Sequence, residues 1–324
     1  MTNLFTRKII GAQKLFNEFL SPNSYQKIID QSKLISLNDE RWPLAVEISL
    51  EVQDESSGTV TIGFPVKNPQ NEIILENLKS LIVKNEPPPN TLKHIKKTIE
   101  KIERNEESKE KYPSRVYFAL ETGIDFMILT FKDPYLNPAD VESTFNNYYG
   151  EVAENLLRVI TEYTSSSTLI EHIGVGERSG NKVFKVYLVD EMKTYISFLE
   201  KNLSQDHEFY QLIRLKEISQ IFEGRKTNIV LDIVKNKVVR IGVELKLISV
   251  EDSVDLVTAR NMLADEFLVQ TMPENFLTRI KKFINDQEGF TALTDDNNFF
   301  FELYHLKVSF QIGKNARWKL YVRC

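Results

Sequence analysis

Three short segments carry the same pair of chemical groups: Arg115-Val116-Tyr117, Lys185-Val186-Tyr187 and Lys319-Leu320-Tyr321. Each lies in a stretch that alternates apolar and polar residues, so in a strand the cation and the phenol share one face. The opposite face is apolar in every case. One such strand is ordinary. Three of them, in units that repeat the same order of helices and strands, point to a closed barrel whose polar lumen is lined by cations and phenols. Arg offers a planar fork and Lys a point charge, so a mixed set suits an anionic ligand such as a diphosphate.

Periodicity shows which elements must position these groups. Residues 4–36 read as two helices broken near Ser21-Pro22-Asn23. Leu44, Val46, Ile48, Leu50 and Val52 then alternate with polar residues, and Val60, Ile62, Phe64 and Val66 do so after Ser56-Ser57-Gly58. That is a hairpin. Helical periodicity follows at 70–83 and 91–105, then strands at 114–121 and 124–132 and helices over 137–164, opened by the cap and first-turn pair Asn137-Pro138. The order repeats with strands at 168–176 and 182–189, helices at 191–203 and 207–222, strands at 226–234 and 237–248, helices at 251–269 and 273–286, and closing strands at 299–311 and 316–323. Hairpins recur about every 55–75 residues with helices between them. A doubly wound parallel sheet is excluded, and roughly ten one-sided strands can close into a barrel.

The face left for the lumen carries Glu47, Ser49 and Glu51, then Thr59 and Thr61, Arg115, Tyr117 and Glu121, His172 and Gly174, and Lys185 and Tyr187. Asn228 and Asp232, Arg240, Gly242, Glu244 and Lys246, and Arg317, Lys319, Tyr321 and Arg323 complete it. A barrel polar inside is wide enough for ligands rather than filled by its own side chains. At 124–132 the phase is open, because Ile124, Phe126 and Ile128 compete with Met127, Leu129 and Phe131. This strand can present an apolar stretch to the lumen.

Bulk composition excludes several classes. The 324 residues carry a net charge of −5, which argues against a broad nucleic-acid face. The one Cys is the last residue, Cys324, so no disulfide framework exists within the chain and a cytoplasmic protein is expected. His94, His172, His207 and His305 show no close ligand spacing. Arg7, Lys8 and Lys14 interrupt any signal-peptide core, and no apolar run reaches membrane-spanning length. Two motifs are decoys. The glycine-rich 174–180 stretch leads into a strand instead of a helix, and Asp295-Asp296 has no second Asp-rich partner.

The pattern resembles the ABBA-type aromatic prenyltransferases, whose barrels join five αββα repeats into ten antiparallel strands with helices outside. Four segments carry the likeness. Residues 181–188 (NKVFKVYL) resemble the strand whose Lys/Asn-x-Tyr binds the prenyl diphosphate, and 237–243 (KVVRIGV) the strand whose Arg serves the same group. Residues 317–321 (RWKLY) resemble the closing strand, and 43–49 (PLAVEIS) the first strand of indole-type members, where a Glu accepts the indole N–H. A lumen Lys expected at 124–132 is missing; Asp125, Met127 and Leu129 stand there.

The resemblance implies an α+β fold with residues 1–324 as one PT-barrel domain and 1–40 as helices on its exterior. It implies transfer of a dimethylallyl or geranyl group to an aromatic acceptor, an indole first, with a phenol or a peptide side chain as alternatives. A non-catalytic barrel for an anionic or lipid-like ligand is the reading from another class. Arg115, Lys185, Tyr187, Arg240, Lys246, Lys319 and Tyr321 would hold the diphosphate. Tyr117, Tyr187 and Tyr321 would shield the allyl cation, with cation–π attraction of about 1–2 kcal/mol each when desolvated. Glu47 would act on the acceptor, with Ser49, Met127 and His172 beside it. No cofactor is required, and Mg²⁺ has no clear ligand set. A monomer is expected, acting on dimethylallyl diphosphate without nucleic acid or membrane.

Overall fold

The computed structural model describes residues 4–11, 22–33, 45–51, 58–65, 87–103, 113–120, 124–131, 135–149, 154–178, 180–202, 226–246, 290–294, 297–311 and 316–323, with a few single positions elsewhere. Its helices are α1 (Leu4–Gly11), α2 (Pro22–Lys33), α3 (Pro89–Glu103), α4 (Val141–Tyr149), α5 (Glu154–Glu162) and α6 (Met192–Asn202). Its strands are β1 (Ala45–Glu51), β2 (Gly58–Pro65), β3 (Arg115–Leu120), β4 (Ile124–Thr130), β5 (Leu169–Arg178) and β6 (Asn181–Glu191). They continue as β7 (Lys226–Val234), β8 (Lys237–Lys246), β9 (Phe290–Thr294), β10 (Asn297–Phe310) and β11 (Arg317–Arg323). This is the expected α+β class, an antiparallel sheet with helices. The hydrogen-bonded order is β11-β1-β2-β3-β4-β5-β6-β7-β8-β10-β9, and β11 also pairs with β10.

Eleven strands stand among the described residues, one more than the ten expected. The addition is β9, which pairs only with the first part of β10, from Asn297↔Thr294 to Phe301↔Phe290. The helices expected at 251–269, and all but single positions of those at 70–83, 207–222 and 273–286, lie outside the described residues.

The chain forms two compact units. One holds Met1–Ile62, Glu244–Ser309 and Asn315–Cys324, and the other Gly63–Val243 with Phe310–Lys314. In the larger unit, register turns alternation into rows across five strands. Val116, Leu129, Ile173, Val186 and Leu231 lie side by side, as do Phe118, Met127, Val175, Phe184 and Ile233. Nine of these ten are no more than 1% exposed. Burying such side chains is worth about 1.5–3 kcal/mol each, so these two rows dominate the unit's core. Helices cover them: α3 packs on β4 and β5, and Phe145 of α4 meets Phe184 edge-on with centroids 6.0 Å apart.

Local chemistry sets the turns. The Asn137 N–H donates to Asp140 Oδ2 at 3.4 Å, and Pro138 opens the short 3₁₀ turn ahead of α4. Between β7 and β8 both Lys235 (φ 49°) and Asn236 (φ 59°) are left-handed, the pattern of a two-residue type I′ loop. In the smaller unit the Tyr25 hydroxyl of α2 donates to the Ile9 carbonyl of α1 at 3.0 Å, and burial pushes that phenol's pKa up to about 12. Ser32 Oγ donates to Thr6 Oγ1 at 2.9 Å, a second tie between the two helices.

Candidate functional site

The other side of the larger unit's strands carries three rows of different character. The first is Arg115, Thr130, His172, Tyr187 and Val230. The second is Tyr117, Ile128, Gly174, Lys185 and Asp232, and the third Ala119, Phe126, Gly176, Val183 and Val234. Five sequence-derived candidates therefore share one face here: Arg115, Tyr117, His172, Lys185 and Tyr187. Phe126 and Ile128 settle the open phase of β4, which does present an apolar stretch to the polar face. Met127 does not belong to the site as expected. It is fully buried in the opposite, apolar row, because pairing of Ile128 with Gly174 and of Phe126 with Gly176 sends those residues to the polar side instead.

His172 stands between two phenols. Its ring meets Tyr187 edge-on at 4.9 Å and Tyr117 at 6.2 Å between centroids. Its Nδ1 shares a 2.8 Å hydrogen bond with Thr130 Oγ1, and its Nε2 lies 3.5 Å from Glu171 Oε2. Asn228 Nδ2 donates to the same Glu171 oxygen at 2.8 Å. Both ring nitrogens have polar neighbours, and the ring packs edge-on against the two tyrosines.

Two glycines make room for these side chains. A Cβ at Gly63 would land on the Tyr117 ring, 2.8 Å from its Cδ1. A Cβ at Gly174 would stand 3.0 Å from Ile128 Cγ1 and 3.4 Å from Lys185 Cβ. With that space open, Lys185 reaches past β5 and sets its Nζ 4.0 Å from the Phe126 ring centroid on β4. Arg178 places its guanidinium carbon 5.5 Å from the same centroid. Arg240 leans the other way. Its Nε donates to Asp232 Oδ2 at 2.8 Å, and its Nη2 pairs with the same oxygen. Asp232 sits opposite Lys185 in register.

The smaller unit sets His305, Lys307, Lys319 and Tyr321 on one side of β10 and β11. Its rows read Glu47, Arg323 and Glu302; then Ser49, Tyr321 and His305; then Glu51, Lys319 and Lys307. The opposite side carries Leu306, Val308, Trp318 and Leu320, each no more than 1% exposed. His305 stacks on Tyr321 with centroids 3.9 Å apart and planes 26° from parallel. Lys307 Nζ donates to Glu244 Oε1 at 3.0 Å. The side chains of Glu47, Ser49 and Lys246 lie outside the described residues. Among the described residues no group of three or more His, Cys, Asp or Glu could hold a metal, and no helix is long and apolar enough to cross a membrane.

Sequence reasoning missed Arg178, Lys307 and the face of His305. Arg178 continues the phase of His172, Gly174 and Gly176, two residues past the strand end expected at 176. A bulge between Leu303 and His305 breaks the alternation of β10 just before Lys307.

No protein-family model and no curated protein matches the chain. Solved structures do. 5-Dimethylallyltryptophan synthase from Streptomyces coelicolor matches with a TM-score of 0.57 at 12% identity, over 98% of this chain and 96% of that one. AnaPT from Neosartorya fischeri matches with a TM-score of 0.57 at 10% identity, over 98% and 90%. The prenyltransferase PriB, whose matching structure is a complex with product diphosphate, gives 0.57 at 12% over 99% and 96%. The matches span nearly the whole of both chains: this chain has the fold of the ABBA-type aromatic prenyltransferases.

Proposed function

We propose that this protein transfers a dimethylallyl group from its diphosphate to an aromatic acceptor, with an indole as the favoured ring. The observation that carries this reading is the pairing of cations with aromatic rings on one strand face, in a chain whose fold matches prenyltransferases from end to end. Breaking the allylic C–O bond separates a diphosphate from a resonance-stabilised cation, and the two products need opposite surroundings. Lys185 and Arg240 supply positive charge and N–H donors to the leaving oxygens, as do Lys319, Lys246 and Arg115. Tyr117, Tyr187 and Tyr321 turn electron-rich rings toward the allyl cation and keep water from it. The acceptor ring attacks the cation to form the new bond, and its ring proton then passes to a nearby base, restoring aromaticity. Glu47 takes the acceptor N–H, raising the ring's electron density, with Ser49 and His172 lining the acceptor's place.

In this reading side-chain cations neutralise the diphosphate, so no cofactor is assigned. The test is incubation with dimethylallyl and geranyl diphosphates against indoles, phenols and cyclic peptides, with products identified by mass. Addition of one five-carbon unit to an indole supports the reading, and no transfer to any acceptor contradicts it. Glu47→Ala should slow indole prenylation about 100-fold while changing the KM for dimethylallyl diphosphate less than threefold, in line with one lost charged contact to the acceptor. Equal damage to both parameters would make Glu47 structural.

A further inference from the structure

The proposed reaction ends with a proton leaving the carbon that the allyl cation has just attacked. The group that takes it must stand beside the rings that surround the cation. On the polar side of the larger unit Arg115 and Lys185 are cations with no lone pair to offer. The Tyr117 and Tyr187 phenols are weak bases, and Asp232 is engaged by Arg240 Nε and Nη2. His172 meets both tyrosines, with its ring centroid 4.9 Å from that of Tyr187 and 6.2 Å from that of Tyr117. Thr130 stands opposite it in register, with Oγ1 2.8 Å from Nδ1. When that oxygen accepts the Nδ1–H, the lone pair of the ring is on Nε2.

A break in strand alternation supplies the counter-charge. The register of β5 against β6 shifts between Ile170 and His172, so Glu171 is the extra residue of a bulge. Regular pleating sends neighbours to opposite faces. Instead the Glu171 carboxylate, 7% exposed, comes to 3.5 Å from His172 Nε2, and Asn228 Nδ2 donates to the same oxygen at 2.8 Å. A charged N–H donor closes to about 2.7–2.9 Å on a carboxylate, so the longer distance fits an Nε2 that carries no proton. An imidazolium formed there stands next to a fixed negative charge, as a catalytic histidine does beside its orienting carboxylate.

We infer that His172 is the base of the transfer reaction, with Glu171 and Thr130 as positioning residues that act through it. The inference rests on the transfer reading and names the group that completes it. As the allyl carbon bonds to the acceptor, the acceptor ring becomes the cation. Its C–H bond at that carbon then breaks, the bond's electron pair restores aromaticity, and the proton goes to Nε2. The diphosphate has already left with the electrons of the C–O bond, so no other reactant is needed. Alternation assigns Glu171 to the covered face with Ile173 and Val175, which is why periodicity did not reveal it.

The experiment measures kcat for dimethylallyl transfer to indole and to indole deuterated at every ring carbon, in the wild type, His172→Asn and Glu171→Gln. Thermal melts check each fold. Removing the base makes loss of the ring proton the slow step, so His172→Asn should lower kcat at least about tenfold and raise the isotope effect above about 2, well beyond that of the wild type. A residue that only supports the fold lowers the rate without moving the isotope effect. Glu171→Gln keeps an acceptor for Asn228 and removes the charge, so its isotope effect should rise by a smaller amount. A folded His172→Asn with the wild-type isotope effect overturns the base role and leaves prenyl transfer standing. A larger rise in Glu171→Gln than in His172→Asn also overturns it, because the carboxylate is then the base. If His172→Asn melts far below the wild type, Glu171→Gln decides: a raised isotope effect supports the inference and an unchanged one overturns it. A wild type that transfers no prenyl group to either indole removes this inference together with the indole reading on which it rests.

Discussion

Arg240 gives two N–H groups to one oxygen of Asp232, with both side chains almost fully buried, so the orientation of the guanidinium depends on that carboxylate. In the proposed site a negative charge beside Arg240 would repel the diphosphate, and holding the fork still would help it; the two effects oppose each other. Geometry favours the second, because a buried charge stripped of its partner costs about 3–5 kcal/mol. Asp232→Ala is therefore expected to lower unfolding free energy by roughly that amount, read from urea titration, and to raise the KM for the prenyl diphosphate about tenfold. Asp232→Asn keeps an acceptor for Nε and should recover most of both losses. A lower KM in either variant would mean that repulsion dominates. None of this pairing was legible in the sequence. Asp232 and Arg240 were both placed on the polar face by alternation, but which cation meets which anion depends on register across strands.

At the scale of elements, the hairpins were legible where polar and apolar residues alternate cleanly, as in 182–189 and 237–246. Strand β4 was not, since Ile124 to Leu129 is apolar on both phases apart from Asp125. Only its pairing with the glycines of β5 decides that Phe126 and Ile128 face the polar side and Met127 the core. Strand β9 escaped because five residues are too few for period-two patterning to stand out. The β7–β8 turn offers a direct test. A left-handed conformation costs a residue with a Cβ about 1–2 kcal/mol, and glycine escapes most of that while losing more entropy on folding. Lys235→Gly should thus raise unfolding free energy by about 0.5–1 kcal/mol. A decrease would show that the Lys235 side chain contributes more than its backbone strain removes.

Over the whole molecule, the repeat of hairpins and helix pairs was legible because each strand must bury one face and each helix must cover it. The resemblance to ABBA prenyltransferases followed from that order, and the solved structures match it across 98% of the chain at only 10–12% identity. At that distance the fold persists through burial pattern, while the site must be judged from its own residues. Arg115 and Lys185 share a strand face with Tyr117 and Tyr187, and Lys319 shares one with Tyr321. The measurement closest to the central claim is the rate of dimethylallyl transfer to an indole acceptor by the wild type, Lys185→Ala and Arg240→Ala, with circular dichroism confirming that each variant is folded. Loss of at least 100-fold in kcat/KM in both folded variants, about 2.7 kcal/mol of transition-state stabilisation, is the predicted result. Wild-type rates in both would contradict the account.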